Sequence, residues 1–488
     1  LPGRGGGEND GEGEDQEAHG KTGEGWDVRW RTRVLRSPHA SKVRSMSDAS
    51  TPIRTPSLVT SGDGGPNLDL QDEGQSGDPS AFRGLGYEPD GVDNGAYDPA
   101  AFQGLDFYRI DDLLTDDEKA HRDRVRAYVT EAVLPVIEQH AQALTFPMAT
   151  ARDLASMGVI GPTIPTEYGG LGASSVTYGL MMQEVERADS GLRSFCSVMG
   201  SLVMYPIYTY GSEEQKRHWL PRLATAEAIG CFALTEPNVG SNPGAMQTRA
   251  VRDGHDYILT GHKRWSTNAS IADVAVVWAK DDEGEVRGFL VETDLPGVST
   301  PRIMDKWSLR AAVTSEVVLD EVRVPASAML PNVKGLKGPL SCLTQARYGI
   351  AWGVIGAALS CYDAALQHTT SRVQFGKPIA GFQLVQNHIA DMLAEITKAQ
   401  LVGWRLGRMK DEGTMRPAHV SLAKRDNVRT ALAVARQSRQ LLGGNGVLGI
   451  YPVMRHMANL ESVVTYEGTD EVHTLVLGME ATGINAFS

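Results

Sequence analysis

Cysteine is scarce in this chain, with four residues among 488. The four lie far apart and form no C-x-x-C pair, at positions Cys196, Cys231, Cys342 and Cys361. This spacing gives no sign of a redox-active or metal-binding cysteine pair. It favours free, mostly buried thiols in a reducing compartment, and we predict no metal site from the sequence.

A basic excess is also absent. The chain has 47 Lys and Arg against 60 Asp and Glu, which gives a formal net charge of −13. That balance argues against a general nucleic-acid binder, which needs a basic face. It leaves a small anionic substrate open, because local fields decide such binding. An apolar content of 41% with 22% charged residues is typical of a soluble globular protein.

Long uninterrupted apolar runs and glycine-rich nucleotide motifs are missing too. The most apolar long segment, Tyr348 to Leu366, contains glycines, a serine and Asp363. A buried core helix is therefore predicted there, and no membrane span. No internal repeat or G-x-G-x-x-G motif stands out, so a dinucleotide would not be held in the Rossmann manner.

Residues 1–105 differ in composition from the remainder and are dominated by Gly, Asp, Pro and Ser. Such a low-complexity N-terminal extension is predicted to be disordered, because it cannot bury enough apolar surface. Within it, DVRWRTRVLRSPHASKVRS is Arg-rich and resembles a mitochondrial presequence. Because the chain begins with Leu1, Met46 as the true first residue is an equal alternative. The lysine-poor composition favours a bacterial cytoplasmic protein, with the mitochondrial matrix as the alternative.

Residues 106–227 have the pattern of an all-α domain. Order is expected near Leu113, and Thr115 is a candidate N-cap before a first turn rich in acids. Apolar residues then recur at helical spacing. Ser212 and Gln215 form a capping-box pattern further along the same domain.

The hydrophobic period changes at the next boundary. Short β-branched runs separated by polar turns predict a compact β-domain over residues 228–335. Helical patterns return in residues 336–488, with helices predicted over 340–370, 382–411, 416–442 and 470–481. Their broad apolar faces are typical of a four-helix bundle or a subunit interface.

Two glycine-containing stretches near the C-terminus are candidate functional segments. In VVTYEGTDEVHTLVLG, residues 463–478, Glu467 follows an apolar run and precedes a glycine. It is either a solvated loop acid or a base directed into a cavity, and its neighbours alone do not decide. In QLLGGNG, Gly443 and Gly444 can end a helix and also allow close approach of a cofactor or a partner backbone.

Three further stretches carry polar or aromatic residues at suitable places. In CFALTEPNVGSN, Thr235 and Ser241 can approach a planar ring or a phosphate, or can form a simple polar turn. Trp265 and Thr267 lie on one face of a predicted strand, beside a flat cofactor or half-buried in a sheet. Arg372, in SRVQFGKPIAGFQLVQ, is either solvated at a helix end or paired with a diphosphate.

Taken together and in this order, these motifs resemble the acyl-CoA dehydrogenase family. The resemblance covers about residues 107–488 and rests on LTEPNVGSN, KWSLRAA, ARYGIAWGVIGA, RVQFGKPIA, DMLAEIT, LLGGNG and TYEGTDEVHTLVLG. The motifs are most similar to those of the family's glutaryl-CoA-oxidising members. The resemblance implies an α+β fold with an N-terminal helical domain, a central β-domain and a C-terminal four-helix bundle. It also implies FAD as the cofactor.

Site residues follow from the resemblance position by position. Glu467 matches the catalytic base that removes the α-proton of the acyl-CoA thioester. Because Ala346 stands before Arg347, no rival glutamate occupies the alternative base position. The cofactor contacts are matched by Leu234, Thr235, Ser241, Trp265, Thr267, Arg372, Phe375, Gln383, Gln440, Gly443, Gly444 and Thr469. Several of these grip FAD across a subunit boundary in the family, which implies a homotetramer built as a dimer of dimers.

Substrate contacts are implied in the same way, by Arg193, Ser194, Ser197, Glu186, Ser241, Arg347, Tyr466 and Gly468. Arg193 matches the arginine that binds the distal carboxylate of glutaryl-CoA, whereas a surface salt bridge to Glu186 or Asp189 is the structural alternative. Glu186 and Tyr466 match residues of the decarboxylating members. The expected reaction converts glutaryl-CoA to crotonyl-CoA and CO₂, with electron-transferring flavoprotein as acceptor. The alternative is dehydrogenation of another short-chain or dicarboxylyl acyl-CoA without decarboxylation.

Overall fold

A computed structural model describes residues 97–487 of the chain. The presequence-like segment, the alternative start at Met46 and most of the predicted extension lie outside the described residues. The remaining part of that extension is ordered and differs from the prediction. Asp98 N–H donates to Gln367 Oε1 over 2.9 Å, and Gln400 Nε2 donates to the carbonyl of Leu105 over 2.8 Å. Tyr97 also packs on the main hydrophobic core, so apolar contacts stabilise this segment before residue 105.

Helices form the first part of the described chain. They are α1 (Asp116–Tyr128), α2 (Leu134–Ala143), α3 (Met148–Ser156), α4 (Ser175–Ala188), α5 (Ser190–Ser197), α6 (Tyr205–Tyr210) and α7 (Glu213–Ala224). Short π-helical segments, Val129–Val133 and Val198–Met204, join α1 to α2 and α5 to α6. Thr115 and Ser212 begin α1 and α7 with complete capping boxes, as the sequence predicts.

A seven-stranded sheet follows. Its strands are β1 (Gly230–Ala233), β2 (Arg249–Asp253), β3 (Asp256–Thr267), β4 (Val274–Lys280), β5 (Val286–Glu292), β6 (Val298–Ser299) and β7 (Thr314–Pro325). The strand order is β1-β4-β2-β3-β7-β6, and β5 pairs with β4. β1 runs parallel to β4, whereas the long β3 and β7 pair antiparallel. Alternating apolar residues from these strands, mainly alanine and valine, build a second hydrophobic core of their own.

The C-terminal region is again helical. Its helices are α8 (Lys337–Ser371), α9 (Gln383–Asp411), α10 (Pro417–Leu441), α11 (Val453–Val463) and α12 (Asp470–Thr482), and a small hairpin of β8 (Val373–Gln374) and β9 (Lys377–Pro378) precedes α9. The helix–sheet–helix order confirms the predicted fold class. Helix α11 was not predicted, although Val453, His456, Leu460 and Val463 are buried at helical spacing.

The long helix α8 connects the two helical regions, because it packs against α4 on one side and α10 on the other. Gly356 permits this close approach, since a Cβ there would lie 1.8 Å from the carbonyl oxygen of Gln183. By length and composition alone α8 is apolar enough to cross a membrane, but 89% of its most apolar window is buried inside the protein. The prediction of a core helix is therefore confirmed, and all four cysteines are free and buried.

Candidate active site

The turn between α11 and α12 has an unusual backbone. Glu467 has φ 52° and the next residue, Gly468, has φ 91°, so two successive residues adopt left-handed conformations. A non-glycine residue in this region costs about 1–2 kcal/mol, and such strain is concentrated at functional sites. Thr469 then begins α12, because its side chain accepts a hydrogen bond from the N–H of Val472. We call residues 466–468 the catalytic turn, because we propose a catalytic role for Glu467.

Two cations, the half-buried Arg347 and the buried Lys424, bind the carbonyl groups of the catalytic turn. Arg347 Nε, on α8, donates to the carbonyl of Glu467 over 2.6 Å. Lys424 Nζ, on α10, donates to the carbonyls of Tyr466 and Gly468 over 3.1 and 2.9 Å. The resemblance assigned Arg347 to the CoA side of the site, and it did not indicate Lys424. The available signal was a lysine in phase with the apolar face of α10.

The side chain of Glu467 is half-buried. Its Oε2 is buried and has no hydrogen-bond partner within residues 97–487. Burial raises the pKa of Glu467, and the positive charges of Arg193, Arg347 and Lys424 oppose that rise. A carboxylate with a raised pKa is well suited to accept a proton near neutral pH. The environment therefore differs from that of a solvated loop acid.

Arg193 supplies a second charged group to the same space. It is fully buried, and its Nε donates to Glu186 Oε2 over 2.6 Å. Its Nη2 donates to the hydroxyl of Tyr466, and its guanidinium lies 5.9 Å from the centre of that ring. Nη1 is buried and lacks a hydrogen-bond partner in the described part of the chain. Burial opposes the charge of Arg193, but Glu186 and Tyr466 outweigh it and raise the pKa. Arg193 does form a salt bridge with Glu186, but the predicted surface location of that salt bridge is wrong, because both side chains are buried.

Arg193 lies in the first turn of α5, directly after a break between α4 and α5. Asp189 separates the two helices and caps α5, where its Oδ1 accepts from the N–H of Gly191 over 2.7 Å. Its Oδ2 accepts from Asn459 Nδ2 on α11, also over 2.7 Å. Helices α5 and α11 are thereby joined next to the catalytic turn. Ser194 and Ser197 follow Arg193 on α5 and are both buried. Sequence reasoning did not indicate Asn459, because its partner is 270 residues away.

Five of the predicted cofactor residues lie in the β-domain. A buried ion pair fixes the loop after β1: Lys263 Nζ donates to the carbonyl of Leu234 over 3.1 Å and to Glu236 Oε1 over 3.0 Å. The carbonyl of Thr235 accepts from the N–H of Arg264 over 2.8 Å. Trp265 lies at a register shift in β3, with φ 64° and 55% of its surface exposed. Ser241 is exposed and Thr267 is half-buried.

Thr469 and Arg372 are half-buried, and the other predicted cofactor residues of the C-terminal region are at its surface. Phe375 is 94% exposed at the tip of the β8–β9 hairpin, and Gln383 and Gln440 are also exposed. A Cβ added to Gly443 or Gly444 would meet no atom within 4 Å. Among the described residues, no hydrogen bond or ion pair connects this surface group or Arg372 to the catalytic turn. One chain therefore brings together the predicted substrate residues of α4, α5, α8 and the catalytic turn. In the part of the chain that the structure describes, no hydrogen bond or ion pair links the exposed Ser241 to them, and the surface group is likewise left open.

The family models match most of the described chain. The acyl-CoA dehydrogenase N-terminal domain matches residues 115–227, the middle domain matches 231–322, and the C-terminal domain matches 334–482. These three matches follow the helix–sheet–helix order of the fold. The chain belongs to the acyl-CoA dehydrogenase family.

Individual relatives agree with this assignment. Probable acyl-CoA dehydrogenase YngJ of Bacillus subtilis is 35% identical over 75% of this chain and 98% of its own length. Human mitochondrial short-chain specific acyl-CoA dehydrogenase is 32% identical over 72% of this chain and 87% of its own length. Among solved structures, a glutaryl-CoA dehydrogenase from Mycobacterium smegmatis in complex with FADH2 is 50% identical, with a TM-score of 0.77. That match covers 80% of this chain and 100% of the solved one.

Replacing Gly468 with alanine should lower the free energy of unfolding by about 2–4 kcal/mol, from backbone strain and overpacking together. The added Cβ would lie 2.8 Å from His473 Nε2 and 3.2 Å from Arg347 Nη2, in a residue with φ 91°. Gly478→Ala is the matched control, because a Cβ at that helical position meets no atom within 4 Å. It should raise stability by about 0.5–1 kcal/mol. Equal unfolding free energies for the two variants, measured in urea, would contradict this account of the turn.

Proposed function

We propose that the protein oxidises and decarboxylates glutaryl-CoA to crotonyl-CoA and CO₂, with FAD as its cofactor. The observation that carries this proposal is the buried guanidinium of Arg193, which has a free donor and lies beside Tyr466 of the catalytic turn. A straight apolar acyl chain would leave that donor unpaired at a cost of about 1–3 kcal/mol. A substrate whose far end is a carboxylate would satisfy it.

The predicted cofactor residues are compatible with a large, flat and partly charged group such as FAD. The exposed ring of Trp265, the half-buried Thr267 and the polar loop after β1 offer a stacking surface with hydrogen-bonding groups. The open faces of Gly443 and Gly444 would admit close approach of a diphosphate or of a partner backbone. When bound, FAD supplies the redox chemistry by accepting a hydride from the β-carbon of the substrate.

Glu467 performs the proton chemistry in this proposal. Its carboxylate accepts the α-proton of the thioester, and its backbone N–H stabilises the negative charge that develops on the thioester carbonyl. Arg347 holds the carbonyl of Glu467, and Lys424 holds the carbonyls of the residues before and after it. These hydrogen bonds keep the carboxylate and the backbone N–H of Glu467 in position. Oriented donors of this kind contribute roughly 3–4 kcal/mol each to stabilising a transition state.

The decarboxylation step removes the carboxylate at the end of the substrate distant from the thioester. Loss of the α-proton and the β-hydride gives an α,β-unsaturated thioester whose γ-carbon carries the carboxylate. Cleavage of the bond to that carboxylate releases CO₂ and leaves its electron pair as a dienolate conjugated with the thioester. Glu467, now protonated, returns a proton to give crotonyl-CoA. Glu186 and Tyr466 hold the guanidinium of Arg193, which positions the carboxylate before it leaves.

The remaining partners are proposals that follow from the family. We assign electron-transferring flavoprotein as the electron acceptor and a homotetramer as the working assembly. The exposed Phe375, Gln383 and Gln440 support a shared cofactor site, because residues that bind a cofactor are rarely left at the surface of a complete site. A homotetramer would cover them with a partner subunit.

Anaerobic addition of glutaryl-CoA to the purified protein tests the proposal. Bleaching of the flavin absorbance with equimolar release of CO₂ is the expected result. Bleaching without CO₂ would retain the oxidation and refute the decarboxylation. An unchanged spectrum with glutaryl-CoA, together with bleaching by butyryl-CoA, would favour a short-chain acyl-CoA as the substrate. That second candidate is supported by the 32% identity to the human short-chain specific enzyme.

A further inference from the structure

Lys424 has an environment that is uncommon for a lysine. It lies within α10 with 1% of its surface exposed, and its ammonium group points at the catalytic turn. Nζ donates to the carbonyl of Tyr466 over 3.1 Å and to that of Gly468 over 2.9 Å. These carbonyls flank Glu467 on its two sides. One side chain therefore fixes the peptide group that precedes Glu467 and the one that follows Gly468, while Arg347 holds the peptide group between them.

Helices α5, α8 and α12 and the catalytic turn each contribute a charged or titratable group near Lys424. Arg347 on α8 and Arg193 on α5 add positive charge, and Asp470 at the start of α12 adds negative charge. His473, also on α12, is buried and shares a hydrogen bond of 3.0 Å with the hydroxyl of Ser421. The remaining group is Glu467 itself, the acid on which the positive charges of Lys424, Arg347 and Arg193 all act.

We propose that Lys424 is a positioning residue for the reaction: its ammonium group holds the catalytic turn, and its positive charge keeps Glu467 ionised at working pH. The proposal rests on the role proposed above for Glu467 as the base. Arg347 holds only the carbonyl of Glu467, so it cannot replace either hydrogen bond of Lys424.

The electrostatic part of this role is sensitive to pH. Burial lowers the pKa of Lys424 to about 7, while the carboxylate of Glu467 favours its protonated form. Below that pH the cation stabilises the neighbouring carboxylate and opposes the rise that burial causes in the pKa of Glu467. An opposite charge within about 4–6 Å lowers the pKa of a carboxyl by roughly 1–3 units. Removing the cation should therefore raise the pKa of Glu467.

Three substitutions separate charge from hydrogen bonding. Lys424→Met removes both, Lys424→Gln keeps an amide donor without charge, and Lys424→Arg keeps both. The carboxyl stretch of Glu467, isolated by infrared subtraction of the Glu467→Gln protein, gives its titration midpoint without any substrate. The midpoint should rise by roughly 1 pH unit or more in the methionine and glutamine variants, and arginine should restore it. The acid limb of kcat/KM should move by the same amount.

Lys410→Met is the matched control. Lys410 is another lysine whose pKa burial lowers to about 8, but it lies 4.2 Å from the ring centre of Tyr348 and not on the turn. It should leave the midpoint unchanged. An unshifted midpoint in both uncharged variants with full FAD content would overturn the proposal, as would a failure of arginine to restore it. Loss of FAD from both variants, with a normal control, would also overturn it in favour of a general structural role. Because the infrared titration needs no acyl-CoA, a wrong substrate assignment would leave its result intact.

Discussion

Replacing Glu467 with glutamine should reduce kcat by about 10²–10⁴-fold while FAD remains bound. A positioned general base contributes rate acceleration of that order, and the amide cannot accept the α-proton. The amide is nearly the same size as the carboxyl, so the left-handed turn and its bonds to Arg347 and Lys424 should persist. Single-turnover bleaching of the flavin by substrate measures the chemical step directly.

The pH dependence of kcat/KM provides a second test with the same variant. Burial raises the pKa of Glu467, and only the ionised form is a base. In the unsubstituted protein, kcat/KM should therefore fall as the pH falls through that raised pKa. The glutamine variant should lack this acid limb. Glu461→Gln is the control, because Glu461 lies on α11 before the turn, is half-exposed and is paired with Arg436. It should retain both the rate and the acid limb of kcat/KM. Undiminished bleaching by Glu467→Gln would refute the assignment of the base.

Replacing Arg193 with leucine should lower kcat/KM for glutaryl-CoA by about 10²–10³-fold. The distal carboxylate would then enter a buried site without a cation, and truncating one member of a buried charge pair costs about 2–5 kcal/mol. Each 1.36 kcal/mol corresponds to a factor of ten in rate. Butyryl-CoA, which has no distal charge, should lose far less or gain. The ratio of the two kcat/KM values is the measurement.

Glu186 complicates this substitution, because its carboxyl is as buried as Arg193 and would lose its partner. The double variant Arg193→Leu with Glu186→Gln removes the unpaired negative charge and is the appropriate control for folding. If the double variant recovers stability but not glutaryl-CoA activity, the loss belongs to substrate binding. Equal loss of activity on both substrates in both variants would refute the specificity role of Arg193.

Much of the fold follows from local sequence. Thr115 and Ser212 begin their helices as predicted, because a capping box requires only residues three positions apart. The change of the hydrophobic period from helical to alternating spacing predicts the sheet, because this signal also depends only on neighbouring residues. Helix α11 was missed although its apolar spacing is regular, and residues 97–105 are ordered by contacts with Gln367 and Gln400. Those last contacts are distant in sequence, so composition alone could not reveal them.

By itself, the sequence determined the order of the helical and β regions and the family to which the motifs belong. A motif such as TYEGTDEVHTLVLG fixes which acid stands before a glycine at the start of α12. Only the tertiary structure decided the environment of that acid. Arg193 and Tyr466 are 273 residues apart, and Lys424 and Gly468 are 44 apart. Burial, the direction of a pKa shift and the partner of a buried cation depend on such distant contacts, and these exist only once α5, α8 and α10 pack around the catalytic turn.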